Sequence, residues 1–166
     1  MGGGAGAPSP VCWQSQRWCG RAVPPRRGAS PRQWVRQAQA GRRIAARASH
    51  PTIADKAWHH FIAGDYEVAV FAAFKALEIA VAEKSAIQRT GVALMRDAFH
   101  KQSGPLTDKA LEEGEREAVG HLFAGAFGLF RNPVGHREVS YDGPIEPAEQ
   151  LIVASHLMRI VDAAGA

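Results

Sequence analysis

Apolar residues recur at helical spacing in the middle of the chain. Val70, Phe74, Leu77 and Val81 are separated by four, three and four residues. This spacing places them on one face of an α-helix, which we predict over residues 66–88 as the longest helix of the protein. The charged residues between them predict an opposite, polar face, to which we assign Glu67, Lys75, Glu78, Glu83 and Lys84.

Four further segments after residue 49 show the same periodicity. The first opens at Pro51, with Ser49 or His50 at its cap, and ends at Gly64, after which Asp65 can cap the next helix through its side chain. The other three are predicted over residues 92–99, 109–130 and 147–163. Because no convincing strand pattern or hairpin turn occurs, we expect an all-α fold, a bundle of four main helices and one short helix over residues 49–166.

Residues 1–48 differ in composition from the remainder of the chain. They contain seven glycines, five prolines and few aliphatic residues, too little apolar surface to offset the loss of chain entropy on folding. We expect a low-complexity basic tail that is disordered or not native to the protein. Three interpretations remain: a segment upstream of the true start, a flexible arm that touches nucleic acid or an anionic membrane, or a targeting segment.

Charge is divided unevenly between these two parts. Residues 1–50 carry nine arginines and no acidic residue, whereas residues 51–166 carry 11 basic and all 16 acidic residues. The helical part is therefore mildly acidic, and any anion-binding site in it must be local.

Several classes of site lack a sequence signal. The only cysteines, Cys12 and Cys19, exclude a disulfide scaffold, and no cluster of Cys and His residues predicts a metal site. Phosphate-binding and dinucleotide-binding glycine motifs are absent, and no apolar stretch is long enough for a membrane span. We therefore predict no metal, no cofactor and no membrane partner.

The segment that follows the fourth predicted helix carries the most informative chemistry. Arg131 and Asn132 come directly after an apolar run, and His136 follows after three intervening residues. Arg131 offers a permanently charged fork for phosphoryl oxygens, and His136 can exchange a proton near neutral pH. Asn132 before Pro133 suits the cap of a restarted helix. RNA cleavage by its own 2′-hydroxyl needs an anion clamp, an orienting amide and a proton shuttle, and no metal.

A structural interpretation of the same residues stays open. An Arg-Asn-Pro turn commonly separates two helices, and a single histidine is usually a surface or packing residue. The catalytic interpretation requires that Arg131 and His136 meet at a place open to water.

Segments along the whole helical part resemble a known family. They include residues 50–54 (HPTIA), 64–66 (GDY), 73–75 (AFK), 94–99 (LMRDAF), 104–108 (GPLTD), 122–126 (LFAGA), 131–137 (RNPVGHR) and 154–159 (ASHLMR). This set resembles the Ymh-type family of uncharacterised prokaryotic proteins. The order Arg-Asn-x-x-x-His at a helix end is similar to the motif of the HEPN superfamily (higher eukaryotes and prokaryotes nucleotide-binding domains).

The resemblance implies a fold, an activity and a set of site residues. It implies a HEPN-like helical domain that acts as a metal-independent endoribonuclease in phage defence or a toxin–antitoxin system. The catalytic residues would be Arg131, Asn132 and His136, and Arg137 would bind substrate. It also implies RNA as the substrate, a homodimer, an antitoxin or defence partner and a cytoplasmic location. The alternative is a non-catalytic helical dimer that binds nucleotide, nucleic acid or a partner protein.

Overall fold

The structure, a computed structural model, describes residues 49–132, 139–141 and 143–164. Within these ranges every regular secondary-structure element is a helix, which confirms the predicted fold class. Its elements in chain order are α1 (Pro51–Ala63), α2 (Tyr66–Ser85), α3 (Gly91–Ala98), α4 (Glu113–Ala126), a π-helical turn (Phe127–Arg131) and α5 (Ile145–Ala163). The predicted tail, residues 1–48, lies outside the described residues.

Both ends of α1 agree with the prediction from sequence. His50 is the N-cap, and its Nδ1 accepts a hydrogen bond from the backbone N–H of Thr52 at 3.2 Å. Gly64 ends the helix with a φ of 91°, a left-handed conformation that favours glycine. Asp65 is the N-cap of α2, but the predicted side-chain cap was wrong, because its side chain makes no cap hydrogen bond.

Helix α2 lies at the centre of the bundle. It packs against α1, α3, α5 and the π-helical turn. The predicted stripe is fully buried, with Val70, Phe74, Leu77 and Val81 all at 0% exposure. Phe74 contacts Phe127 and Phe130 at ring-centroid distances of 5.6 and 5.7 Å. These contacts fix the π-helical turn against α2 by burial of large apolar surfaces.

Helix boundaries elsewhere differ from the prediction by one to four residues, and two of the differences have a clear local reason. Helix α2 ends at Ser85 because Ala86 adopts a left-handed φ of 57°. Helix α4 begins at Glu113 rather than at residue 109, since the Glu115 carboxylate accepts the backbone N–H of Glu112 at 3.1 Å and defines the start there. The residues before it form a turn in which Asp108 accepts the N–H of Ala110 at 2.8 Å.

Candidate functional site

A buried carboxylate lies at the contact between three elements. Glu78 of α2 is only 2% exposed. Its Oε1 accepts the backbone N–H of Gly91, the first residue of α3, at 2.5 Å. Its Oε2 accepts a hydrogen bond from Lys75 Nζ at 2.8 Å. The carboxylate therefore satisfies a free N–H at a helix start and neutralises part of a lysine charge.

Arg131, the last residue of the π-helical turn, completes this cluster. Its Nη2 lies 3.3 Å from Oε2 of Glu78, and its side chain is 19% exposed. The guanidinium carbon lies 6.0 Å from the ring centroid of Phe71, at the outer limit of a cation–π contact. Its Nε is buried and has no hydrogen-bond acceptor among the described residues. Arg131 is thus held in place, but it is not sealed inside the core.

The π-helical turn determines the backbone conformation and the position of Arg131 and Asn132. The backbone N–H of Asn132 donates to the carbonyl of Phe127, five residues earlier. Asn132 itself is helical, with a φ of −65° and a ψ of −43°, and the restarted helix that it is predicted to cap lies outside the described residues. The hydrogen bond to Phe127 holds the residue in the helical winding. Single π turns of this kind occur often at functional sites.

The environment of Glu78 lowers its pKa. Burial alone raises the pKa of this carboxyl, but the hydrogen bonds from Lys75 and Gly91 and the charges of Arg131 and Lys75 outweigh it. The pKa of Glu78 therefore lies below its ordinary value of 4.5, and the group is ionised at neutral pH. We call Lys75, Glu78 and Arg131 the Glu78 cluster.

The sequence did not reveal the role of Glu78. It was assigned to the polar face of α2, and that assignment was wrong, because the residue is buried. Its position offers one signal: it follows Leu77 directly and lies four residues after Phe74, at the edge of the apolar stripe. The partner Arg131 lies 53 residues away in the chain, a separation that no local pattern reports.

The remaining predicted site residues, His136 and Arg137, lie outside the described residues, as does Pro133. Of the four predicted site residues, the structure therefore places Arg131 and Asn132 next to each other at the helix end. The meeting of Arg131 with His136 remains a prediction.

Two other features bear on ligands. A cavity of about 230 Å³ lies against the end of α5 and is lined by Leu106, Arg116, Ile160 and six further residues, none of them in the Glu78 cluster. Across the part of the chain that the structure describes, no group of three or more His, Cys, Asp or Glu side chains could hold a metal ion.

A membrane-spanning segment is also not found in the described part of the chain. None of the described helices combines the length and the apolar character needed to cross a membrane.

The fold and the site together define a class: an all-helical domain with an arginine anchored at a helix end by a buried glutamate. A family model described as "Protein of unknown function (Hypoth_ymh)" matches residues 47–161, and the chain belongs to this family. The comparison with curated proteins and the comparison with solved structures each gave no match.

Proposed function

We propose that this protein is a metal-independent endoribonuclease of the HEPN type, and that its family lies within the HEPN superfamily. The 2′-hydroxyl of RNA attacks the adjacent phosphorus, and the bond to the 5′-oxygen breaks, which leaves a 2′,3′-cyclic phosphate and a 5′-hydroxyl. His136 moves the protons between these oxygens. Arg131 stabilises the charge that develops on the phosphoryl oxygens, Asn132 orients the ribose or phosphate, and Arg137 binds the strand.

The observation that carries this proposal is the anchoring of Arg131. Its guanidinium is fixed by Glu78 at 3.3 Å and remains partly exposed beside Asn132. A charged group held in place before substrate arrives stabilises a transition state better than a free side chain, because it does not need to reorganise. The arrangement supports an anion clamp at this helix end.

The biological setting follows from the proposed superfamily. We place the enzyme in phage defence or in a toxin–antitoxin system, with RNA as substrate and an antitoxin or defence protein as partner. The active form would be a cytoplasmic homodimer that brings two copies of the Arg131 site to one groove.

The test is cleavage of RNA by the purified protein in the presence of EDTA. We expect activity to persist in EDTA and to fall by about 100-fold or more in His136→Ala, since a general acid or base typically contributes 10²–10⁴-fold. The control is His59→Ala, which removes an exposed histidine from α1 and should leave the rate unchanged. Equal rates in His136→Ala and the native protein would refute the assignment.

One observation favours a second candidate, a non-catalytic helical dimer that binds nucleotide, nucleic acid or a partner protein. The ion pair with Glu78 neutralises part of the charge that catalysis would draw from Arg131. A binding protein of this kind would show no turnover, and His136→Ala would keep its affinity for RNA. The same purified variants therefore separate the two candidates.

A further inference from the structure

We propose that Lys75 is a second substrate-binding cation, and that Lys75 and Arg131 together form a site for one phosphate group of the RNA strand. This inference rests on the proposed function for the identity of the substrate. It adds a residue from α2, more than fifty positions earlier in the chain than the Arg-Asn-x-x-x-His motif.

The geometry brings two cations to a single oxygen atom. Lys75 Nζ and Arg131 Nη2 lie 2.8 and 3.3 Å from the same Oε2 of Glu78. The other oxygen of that carboxylate is occupied by the N–H of Gly91. Two positive charges thus share one negative charge, and the cluster keeps an excess of one positive charge. Such an excess attracts an anion that both cations can contact.

Exposure decides the direction from which that anion arrives. The side chain of Glu78 is 3% exposed, whereas those of Arg131 and Lys75 are 19% and 44% exposed. The carboxylate lies beneath its two partners, so a phosphate that approaches from solvent meets the cations first. An ammonium group has three donors, and the described hydrogen bond of Lys75 to Glu78 uses one of them.

A second lysine on the same helix provides a matched control. Lys84 Nζ donates to the backbone carbonyls of Val161 and Asp162, both at 2.8 Å. Its charge is directed to the end of α5, and its described hydrogen bonds do not involve Glu78. Lys75→Met and Lys84→Met remove the same charge from the same helix, so only the first should affect phosphate binding at the Glu78 cluster.

The experiment measures binding of a 2′-O-methyl RNA oligonucleotide, which lacks the attacking hydroxyl, by fluorescence anisotropy at several salt concentrations. We expect Lys75→Met to weaken binding about tenfold, as the loss of a charge-assisted contact implies. The slope of log K against log salt should fall by about 0.7, the value for one phosphate contact on a single strand. Lys84→Met should keep the slope, and Lys75→Arg should restore affinity.

A purely structural role for Lys75 gives a different result. In that case Lys75→Met lowers the midpoint of urea unfolding, and the folded variant binds RNA with the native affinity and slope. That outcome overturns the proposal, as does an equal loss of affinity in Lys75→Met and Lys84→Met.

Inorganic phosphate as a competitor identifies the source of the phosphate group. If the ion displaces the oligonucleotide from the native protein and loses this ability in Lys75→Met, RNA and the ion share the site. If the ion binds in a Lys75-dependent way but RNA binding does not depend on Lys75, the assignment to RNA is overturned. If His136→Ala abolishes cleavage but Lys75→Met leaves RNA binding unchanged, this inference is refuted and the proposed function is not. If Lys75→Met weakens RNA binding but the native protein cleaves no RNA, the proposed function is refuted and the binding role of Lys75 is not.

Discussion

Helix α2 carries two lysines whose surroundings differ in charge. Lys84 meets the neutral carbonyls of Val161 and Asp162 at the end of α5, where His50 Nε2 also contacts Asp162 Oδ2 at 2.7 Å. Lys75 meets a buried carboxylate that a second cation shares. We call the three residues at the end of α5, His50, Lys84 and Asp162, the helix-end cluster.

The two clusters show different uses of charge. In the helix-end cluster, the lysine satisfies carbonyls that a helix leaves without partners and complements the negative end of its dipole. Glu78 in the other cluster joins α2 to the start of α3 and to the π-helical turn, so its loss affects three elements at once. We therefore expect the Glu78 cluster to contribute more to stability, while its surplus charge serves binding.

The largest effect is expected for Glu78→Gln. This change removes a buried negative charge and leaves Lys75 and Arg131 without the counterion that they share. Loss of one partner from a buried ion pair costs about 3–5 kcal/mol, and we expect about 3 kcal/mol here because both cations retain some access to water. The measurement is the free energy of unfolding in urea.

The control for this change is Asp97→Asn, which removes a carboxylate from an exposed pair with Arg89. Exposed pairs contribute about 0–1 kcal/mol, so the stability of this variant should be close to native. Equal losses in the two variants would contradict the greater contribution that we assign to the buried carboxylate of the Glu78 cluster.

Acidification should produce a smaller effect of the same origin. Because the pKa of Glu78 is lowered in the folded protein, its contribution is fully present above about pH 4.5 and is lost as the pH falls through the folded-state pKa. The loss is smaller than in Glu78→Gln, since the lowered pKa keeps a fraction of the Glu78 side chains ionised below pH 4.5, whereas the substitution removes the charge completely. Unfolding in urea over about pH 3 to 7 measures it.

The comparison that tests this pH dependence is with Glu78→Gln itself. The variant should show a weaker decline of stability below pH 4.5 than the native protein. Parallel declines in the two proteins would assign the acid sensitivity to other carboxylates.

The smallest effect is expected for His50→Ala in the helix-end cluster. The change removes the cap of α1 and the contact with Asp162, and loss of an N-cap costs about 1 kcal/mol. His50→Asn restores a capping side chain but not the reach to Asp162, so it should recover most of the loss. If His50→Asn is as unstable as His50→Ala, the link between α1 and α5 is the dominant contribution. Thermal unfolding distinguishes these outcomes.

Sequence patterns predicted what depends on local periodicity. The stripe from Val70 to Val81 is buried, and the cap and stop of α1 lie where His50 and Gly64 indicated. The role of Glu78 escaped prediction because its partners are contributed by other parts of the chain. For Asn132, the Pro that follows predicts the cap of a new helix, and that pattern does not report the hydrogen bond from the Asn132 N–H back to Phe127. The amino-acid composition of a π turn does not distinguish it from an α-helix.

The direction of the Arg131 side chain also depends on the number of residues in the π-helical turn. Each residue of an α-helix advances the direction of its side chain by about 100° around the axis. Deletion of one residue between Phe127 and Phe130 would rotate the guanidinium by about that angle and separate it from Glu78. In related chains, insertions and deletions in this short stretch would therefore decide whether the arginine meets the glutamate, even where both residues are retained.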